Sequence, residues 1–483
     1  MGSRKVTSSE HLDWQGKHVT VAGLGVSGIP AAKVLHARGA HVTVVNDGDD
    51  ARAREQAAEL EALGITVRLG DGATLPEGTE LVVTAPGWKP DKPLFTAARA
   101  AGLEIWGDVE LAWRLRGPDA APWLAITGTN GKTTTTQMLA SILKAAGLRT
   151  AAVGNIGVSL LDAVLGDEQY DVLAVELSSY QLHWAPSLRV HSAAVLNLAP
   201  DHLDWHGSME AYAADKGRVY EGNRVACVYN VADKATEDLV READVEEGCR
   251  AIGFTLGTPG PSQLGVVEGI LVDRAFVEDR HKNAQELAEV SDVNPPAPHN
   301  IANALAAAAL ARAFGVPARA VRDGLRDFTP DAHRISHVAD VDGVAYVDDS
   351  KATNTHAAEA SLAAYESIVW IAGGLAKGAT FDELVAKSAK RLRGVVLIGQ
   401  DRALIREALA RHAPEVPVVD LDRTDTGAMS AAVREARSLA VAGDTVLLAP
   451  ACASMDMFAN YNMRGDAFAE AVREIAGGAG AGA

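Results

Sequence analysis

Gly128, Thr129, Asn130, Gly131, Lys132, Thr133 and Thr134 follow directly on the apolar run Trp123–Thr127, a spacing suited to holding a polyphosphate. Glycines let a backbone curl until its N–H groups converge on an anion, and a helix beginning at the lysine aims its positive end at the same point. Lys132 would add a mobile positive charge, and Thr133 or Thr134 a hydroxyl for Mg²⁺. The usual loop, Gly-x-x-x-x-Gly-Lys-Ser/Thr, needs glycine at position 126, where this chain has Ile126, so the loop is a shortened variant. A turn without ligand is the competing reading; a lysine followed by four consecutive threonines argues against it.

A phosphate loop calls for a metal. Glu176 lies in the apolar run Asp171–Leu177, where a carboxylate is costly unless paired or bound to a cation, and magnesium would be that partner. A solvent-facing Glu at a strand end is the alternative. After Ser192–Asn197 come Asp201, His202 and Asp204; His202 could ligate a metal with Asp201 orienting its ring. His206 reads as an ordinary surface histidine. A second glycine turn, Gly23, Gly25 and Gly28, with Asp47 downstream, is a dinucleotide-fold fingerprint that by itself leaves a nicotinamide-dependent oxidoreductase open.

These residues need strand ends and helix starts to hold them. Strand-like runs at His18–Ala22, His41–Val45 and Glu80–Thr84 alternate with helical Ile29–Arg38 and Ala51–Leu63, which predicts a parallel sheet. Gly117–Pro122 is a linker, and the alanine-rich stretch Asn300–Phe314 is a helix. From Val231 to Pro298 the pattern weakens, and part of that region reads as variable surface. Strands at Val344–Val347, Ile368–Ala372, Gly394–Ile398, Val416–Asp420 and Thr445–Ala449 predict a third α/β layer, and Gly477–Ala483 a disordered tail. The fold class is therefore α/β, and a length of 483 residues suits three domains, here 1–118, 119–331 and 332–483.

The net charge of −18 disfavours a broad grip on nucleic acid or anionic lipid. No apolar run is long enough for a membrane span, and Met1–Glu10 lacks the apolar segment of a secretion signal, so a cytoplasmic protein is expected. Cys227, Cys249 and Cys452 fit neither a disulfide framework nor a metal knuckle.

Gly128–Thr134, Gly154–Gly157, Val175–Ser179, Asn197–Asp204, His299 with Asn300 and Asn303, and His333–Arg334 together resemble the Mur ligase family, ATP-dependent amide ligases that build the peptide of bacterial peptidoglycan. Asp349–Asn354 and Pro450–Phe458 resemble its D-glutamate-adding branch. The likeness spans nearly the whole chain, apart from about 231–298 and the two tails.

The resemblance implies a Rossmann-like first domain that binds UDP-substrate through Val26, Ser27, Asp47, Pro86 and Gly87, with Asn155 touching the muramoyl part. It implies a central P-loop domain binding ATP through Gly128 to Thr134, with Asn300, Asn303, Arg334 and Asp349 near the nucleotide. Thr133, Glu176 and His202 would serve two Mg²⁺ sites, and Lys216 would join them once carbamylated by CO₂. Lys132, Glu176, His202 and Lys216 are the implied catalytic set. In the Rossmann-like third domain, Lys351, Thr353, Lys377, Ser454 and Tyr461 would hold D-glutamate. Two departures stand out: Tyr461 where well-known members have phenylalanine, and Leu375–Ala376 where some have an acidic residue and glycine. The implied reaction phosphorylates the carboxylate of UDP-N-acetylmuramoyl-L-alanine and joins it to D-glutamate, in a monomer whose partners are small molecules. The alternatives are a relative that adds another amino acid or acts on folate, and a UDP-sugar or ATP sensor.

Overall fold

Valine-rich runs without alternation bury both faces of a strand, so helices must cover both sides of the sheet they form. In the computed structural model, which describes residues 13–423, 425 and 427–479, the central strands β1 (His18–Ala22), β2 (His41–Asn46) and β4 (Leu81–Thr84) are mostly buried, whereas the edge strands β3 (Thr66–Leu69) and β5 (Glu104–Gly107) are more exposed. They pair in parallel in the order β3-β2-β1-β4-β5. The glycine turn sits at the carboxyl end of β1, where Leu24 N–H donates to Asn46 Oδ1 at 3.1 Å.

The second sheet contains β6 (Trp123–Thr127), β7 (Ala152–Gly154), β8 (Leu173–Glu176), β9 (Ser192–Val195), β10 (Ala226–Asn230), β11 (Arg250–Phe254), β12 (Gln263–Val267), β13 (Ile270–Asp273) and β14 (Gln285–Glu289). Its order is β14-β13-β12-β11-β10-β9-β6-β8-β7, parallel except for the β12-β13-β14 meander. The stretch 231–298, part of which was expected as variable surface, contributes a helix (Lys234–Glu242) and the four strands β11 to β14, with Ile252, Phe254, Leu264, Leu271 and Leu287 buried. Its signal was weak because an edge meander such as Gln285–Glu289 buries only two of its five residues. The helix Pro298–Ala313 buries Ala304 to Ala311 completely. Beside it, the helix Ala318–Asp327 crosses the helix Lys132–Ala145 so closely that Ser141 Oγ donates to Gly324 O at 2.7 Å.

The third sheet joins β15 (Ser336–Val341), β16 (Val344–Asp348), β17 (Ile368–Gly373), β18 (Leu392–Ile398), β19 (Val418–Asp420) and β20 (Thr445–Leu448) in the order β15-β16-β20-β17-β18-β19, with only β15 antiparallel. Its last helix, Tyr461–Ala479, continues through Gly477, which corrects the expected disordered tail up to that point; residues 480–483, and the N-terminal stretch read for a secretion signal up to residue 12, lie outside the described residues. The first two sheets share one compact unit, which runs to Val293 and takes in Ile301–Phe328; the other comprises Asn294–Asn300 and the chain from Thr329 onward. Within the first unit, Gly107 N–H donates to Trp184 O at 2.8 Å, Ser187 N–H to Glu110 Oε2 at 3.0 Å, and Trp113 packs edge-on against Trp123. Among the described residues no helix is long and apolar enough to cross a membrane.

Candidate active site

Ile126 is fully buried in β6, so the phosphate loop can open only after Thr127, and its shortness follows from where the strand ends. Gly131 has φ +83, and a Cβ there would lie 2.4 Å from Asn303 Oδ1, so only glycine brings the loop this close to the helix that carries Asn303. Lys132 opens the helix Lys132–Ala145 and donates to the carbonyls of Gly128 and Thr129, each at 2.9 Å. Asn197, just beyond β9, fixes the loop: its Oδ1 accepts Asn130 N–H at 2.9 Å and its Nδ2 donates to Asn130 O at 3.1 Å. Thr129 Oγ1 meets Tyr212 O–H at 3.0 Å. Thr133 is half-buried and Thr134 buried, so Thr133 is the better placed hydroxyl for a cation.

Glu176 closes β8 and is buried. Its Oε1 accepts Asn155 Nδ2–H at 2.8 Å, while its Oε2 is buried without a hydrogen-bond partner. An orphaned carboxylate oxygen costs free energy that a bound cation would recover. Asn155, assigned to substrate by resemblance, thus also steers this carboxylate. His202 holds a left-handed backbone with φ 54, a strain tolerated where a side chain must be aimed. Partial burial pushes its imidazole below the ordinary range against the pull of Asp201, and the Lys132 and Lys216 charges push the same way, which favours the neutral, metal-binding ring.

Lys216 lies almost wholly buried on the helix Met209–Gly217 and donates to Gly128 O at 2.8 Å, the same oxygen that Lys132 uses. Burial drives its amine well below the usual lysine range, the Lys132 charge adds to the shift, and Asp201, Glu176 and Asp215 oppose it. An exposed helical lysine is therefore not what the fold contains. Nor is His206 a surface histidine: its side chain has no exposed area, with Nδ1 2.9 Å from Asp215 Oδ2 and Nε2 3.0 Å from Ser179 Oγ. The surface reading failed because these partners come from two other elements. Asp215, which sequence reasoning missed, accepts from His183 Nδ1 at 2.9 Å and pairs with Arg218 Nε at 3.1 Å. Burial pushes its carboxyl up, but the bonds from His183 and His206 prevail and hold it at about 2. A lone carboxylate in the alanine-rich Ala211–Asp215 run was the available signal.

In the first sheet, Val26 is 90% exposed at the turn, Ser27 Oγ donates to Asp108 Oδ2 at 2.9 Å, and Asp47 pairs with Lys92. Gly87, next to Pro86, accepts Trp205 Nε1–H at 3.1 Å. Among the remaining candidates, Asn303 stands with the phosphate loop, whereas Asn300, Arg334 and Asp349 belong to the other compact unit. Asn300 there donates from Nδ2 to Pro295 O at 3.3 Å.

In that second unit, β16, β20 and β17 are neighbours, and the loops at their carboxyl ends converge, the usual ligand crevice of an open α/β sheet. Asp349 accepts Ser361 Oγ–H; burial raises its carboxyl to about 6, although Ser361 and the Arg334 charge pull it down. Lys351 Nζ sits 4.0 Å from the centre of the Tyr461 ring, a contact that uses the ring face, which tyrosine and phenylalanine offer alike. Leu375 and Ala453 exchange backbone hydrogen bonds of 2.9 and 3.0 Å, joining the loop of exposed Lys377 to that of buried Ser454 independently of the side chain at 375. Thr353 N–H donates to Lys351 O at 2.8 Å. Sequence reasoning missed Arg464, which is buried and donates to Ser350 Oγ, Ser350 O and Cys452 O at 3.0, 2.8 and 3.1 Å.

Residues 126–311 match the Mur ligase middle domain and residues 333–452 the Mur ligase glutamate ligase domain, while residues 18–84 match the pyridine nucleotide-disulphide oxidoreductase family. A UDP-N-acetylmuramoylalanine–D-glutamate ligase of Streptomyces avermitilis is 89% identical over 463 residues, covering 96% of this chain and 99% of the relative. The enzyme of the same name from Thermobifida fusca is 59% identical over 468 residues, covering 96% and 100%. Among solved structures, a pseudomurein peptide ligase type C from Methanothermus fervidus aligns with a TM-score of 0.56 at 18% identity, covering 95% of this chain and 100% of that one, a likeness of fold alone.

Proposed function

Because this chain belongs to the Mur ligase family, we propose that it is an ATP-dependent amide ligase joining D-glutamate to the L-alanyl carboxylate of UDP-N-acetylmuramoyl-L-alanine, with release of ADP and phosphate. The observation that carries this reading is the match, along almost the whole chain, to relatives named for that reaction. The oxidoreductase match covers only β1 to β4, a fold shared by many functions, and gives no support to hydride transfer.

A carboxylate is a poor electrophile: its charge repels an amine, and oxide cannot leave. Phosphorylation by ATP removes both obstacles. Lys132 and the N–H groups of the Gly128–Thr134 loop would hold the phosphates in line for attack by the carboxylate. A carboxylate oxygen forms the new P–O bond as ADP departs. The D-glutamate amine then adds to the acyl phosphate, and phosphate leaves with the amide in place.

The donors fit Mg²⁺, a hard cation that prefers oxygen: the Glu176 Oε2 atom lacks a partner, and Thr133 supplies a hydroxyl. Bound there, the metal would neutralise charge developing on the transferred phosphoryl group. Among the described residues no three or more His, Cys, Asp and Glu gather to bind a metal, so Glu176 and His202 need further ligands from substrate or from Lys216. A neutral Lys216 amine can add to CO₂, forming an N–C bond and losing a proton to water, which converts an uncharged amine into an anionic ligand.

Lys351, Thr353, Lys377, Ser454 and Tyr461 would receive the two carboxylates of D-glutamate, and Val26, Ser27, Asp47, Pro86, Gly87 and Asn155 the UDP-muramoyl moiety. We propose a monomer acting in the cytoplasm. The test is ADP release with UDP-N-acetylmuramoyl-L-alanine, ATP and Mg²⁺ against a panel of amino acids. Turnover should require D-glutamate; turnover with L-glutamate or meso-diaminopimelate but not D-glutamate would overturn the assignment.

A further inference from the structure

One imidazole links the three segments that carry Glu176, His202 and Lys216. His206 ends the single helical turn Leu203–His206 that follows His202. Its Nδ1 bonds Asp215, the residue before Lys216, and its Nε2 bonds Ser179, which opens the helix Ser179–His183 three positions after Glu176. Both ring nitrogens are therefore engaged by different elements, and rings enclose the imidazole: Tyr180 stacked at 5.5 Å, Trp205 at 4.4 Å and Tyr212 edge-on at 5.2 Å. Packing alone would be satisfied by any flat ring of similar size. Two directional bonds to a carboxylate and a hydroxyl add positional control, because each weakens steeply when its angle opens.

We propose that His206 is a positioning residue, which holds Glu176, His202 and Lys216 in one arrangement for the divalent cation. The inference rests on the reading of those three residues as the metal site. Asp215 is the lever: pinned by His206, His183 and Arg218, it fixes the rotation of the helix Met209–Gly217 and with it the direction of Lys216. Ser179 does the same for the backbone that follows Glu176. Partners of this outer kind typically change metal affinity by about 10- to 100-fold when removed.

The test is Mn²⁺ binding to the full chain in the presence of a non-hydrolysable ATP analogue, read by electron paramagnetic resonance, with ¹³CO₂ uptake at Lys216 followed by NMR. His206→Phe keeps a flat ring and loses both hydrogen bonds; it should weaken Mn²⁺ binding by about 10- to 100-fold and diminish the carbamate signal. Ser179→Ala, a milder change that removes one bond, should shift both readouts in the same direction and serves should His206→Phe not fold. Glu176→Gln runs in parallel. Wild-type Mn²⁺ affinity in folded His206→Phe or in Ser179→Ala, with affinity lost in Glu176→Gln, would overturn the positioning role alone. Unchanged affinity in Glu176→Gln would remove the metal reading and the proposal with it.

Discussion

Two lysines, Lys132 and Lys216, donate to the single carbonyl oxygen of Gly128, and their charges oppose one another. Such a pair is sustainable when one member is neutral or converted to an anion. Accordingly, Lys216→Ala should lose activity by orders of magnitude and regain part of it in millimolar acetate or propionate, which can occupy the place of a carbamate; steady-state ADP release checks this, and absence of any rescue would speak against the modification. Asp349 gives a prediction in pH. Its folded pKa of about 6 lies above the ordinary 3.8, so the folded state binds the proton more tightly, and that stabilisation is present below about pH 4 and lost as pH rises through 6. At about 1.4 kcal/mol per unit, the ionised group costs the fold about 3 kcal/mol at pH 8. Asp349→Asn, which keeps an acceptor for Ser361, should therefore be more stable than the parent at pH 8 with a margin that closes towards pH 4, as read by urea unfolding of this unit. Lys132, Glu176 and His202 could be singled out because each stands in a short local motif, and Lys216 only through the resemblance to the family. Asp215, His206 and Arg464 were not, since their meaning lies in partners on other elements.

At the level of elements, the contact between the helices Lys132–Ala145 and Ala318–Asp327 sets the back of the phosphate loop. A Cβ on Gly324 would lie 2.4 Å from Ile142 Cα, backbone that cannot swing aside. Alanine ordinarily gains about 1 kcal/mol over glycine within a helix, whereas overpacking costs about 1–3 kcal/mol. Gly324→Ala should therefore lower the thermal midpoint; a rise would show that the helices can separate without cost. The largely buried parallel strands β1, β2, β4, β8, β9, β16, β17, β18 and β20 were readable from their apolar runs, and the half-buried edge strand β19 from Val416–Asp420. The three-residue β7, the half-exposed β3 and the β12-β13-β14 meander were not, because short or edge strands bury too few side chains to leave a period in the sequence.

Over the whole molecule, a net charge of −18 means that anionic substrates are gripped by local donors at strand ends and helix starts rather than drawn by a broad positive field. The α/β character in three sheets followed from the alternation of elements, and the likeness to the Mur ligase family followed from motifs scattered along nearly the full length. The decisive step is chemical: a shortened phosphate loop makes an inert carboxylate reactive by placing a phosphoryl group on it. Running the reaction with ¹⁸O in the alanyl carboxylate of UDP-N-acetylmuramoyl-L-alanine tests this directly by mass spectrometry of the phosphate released. One carboxylate oxygen should appear in each phosphate formed alongside amide; phosphate free of ¹⁸O while amide accumulates would rule out an acyl phosphate.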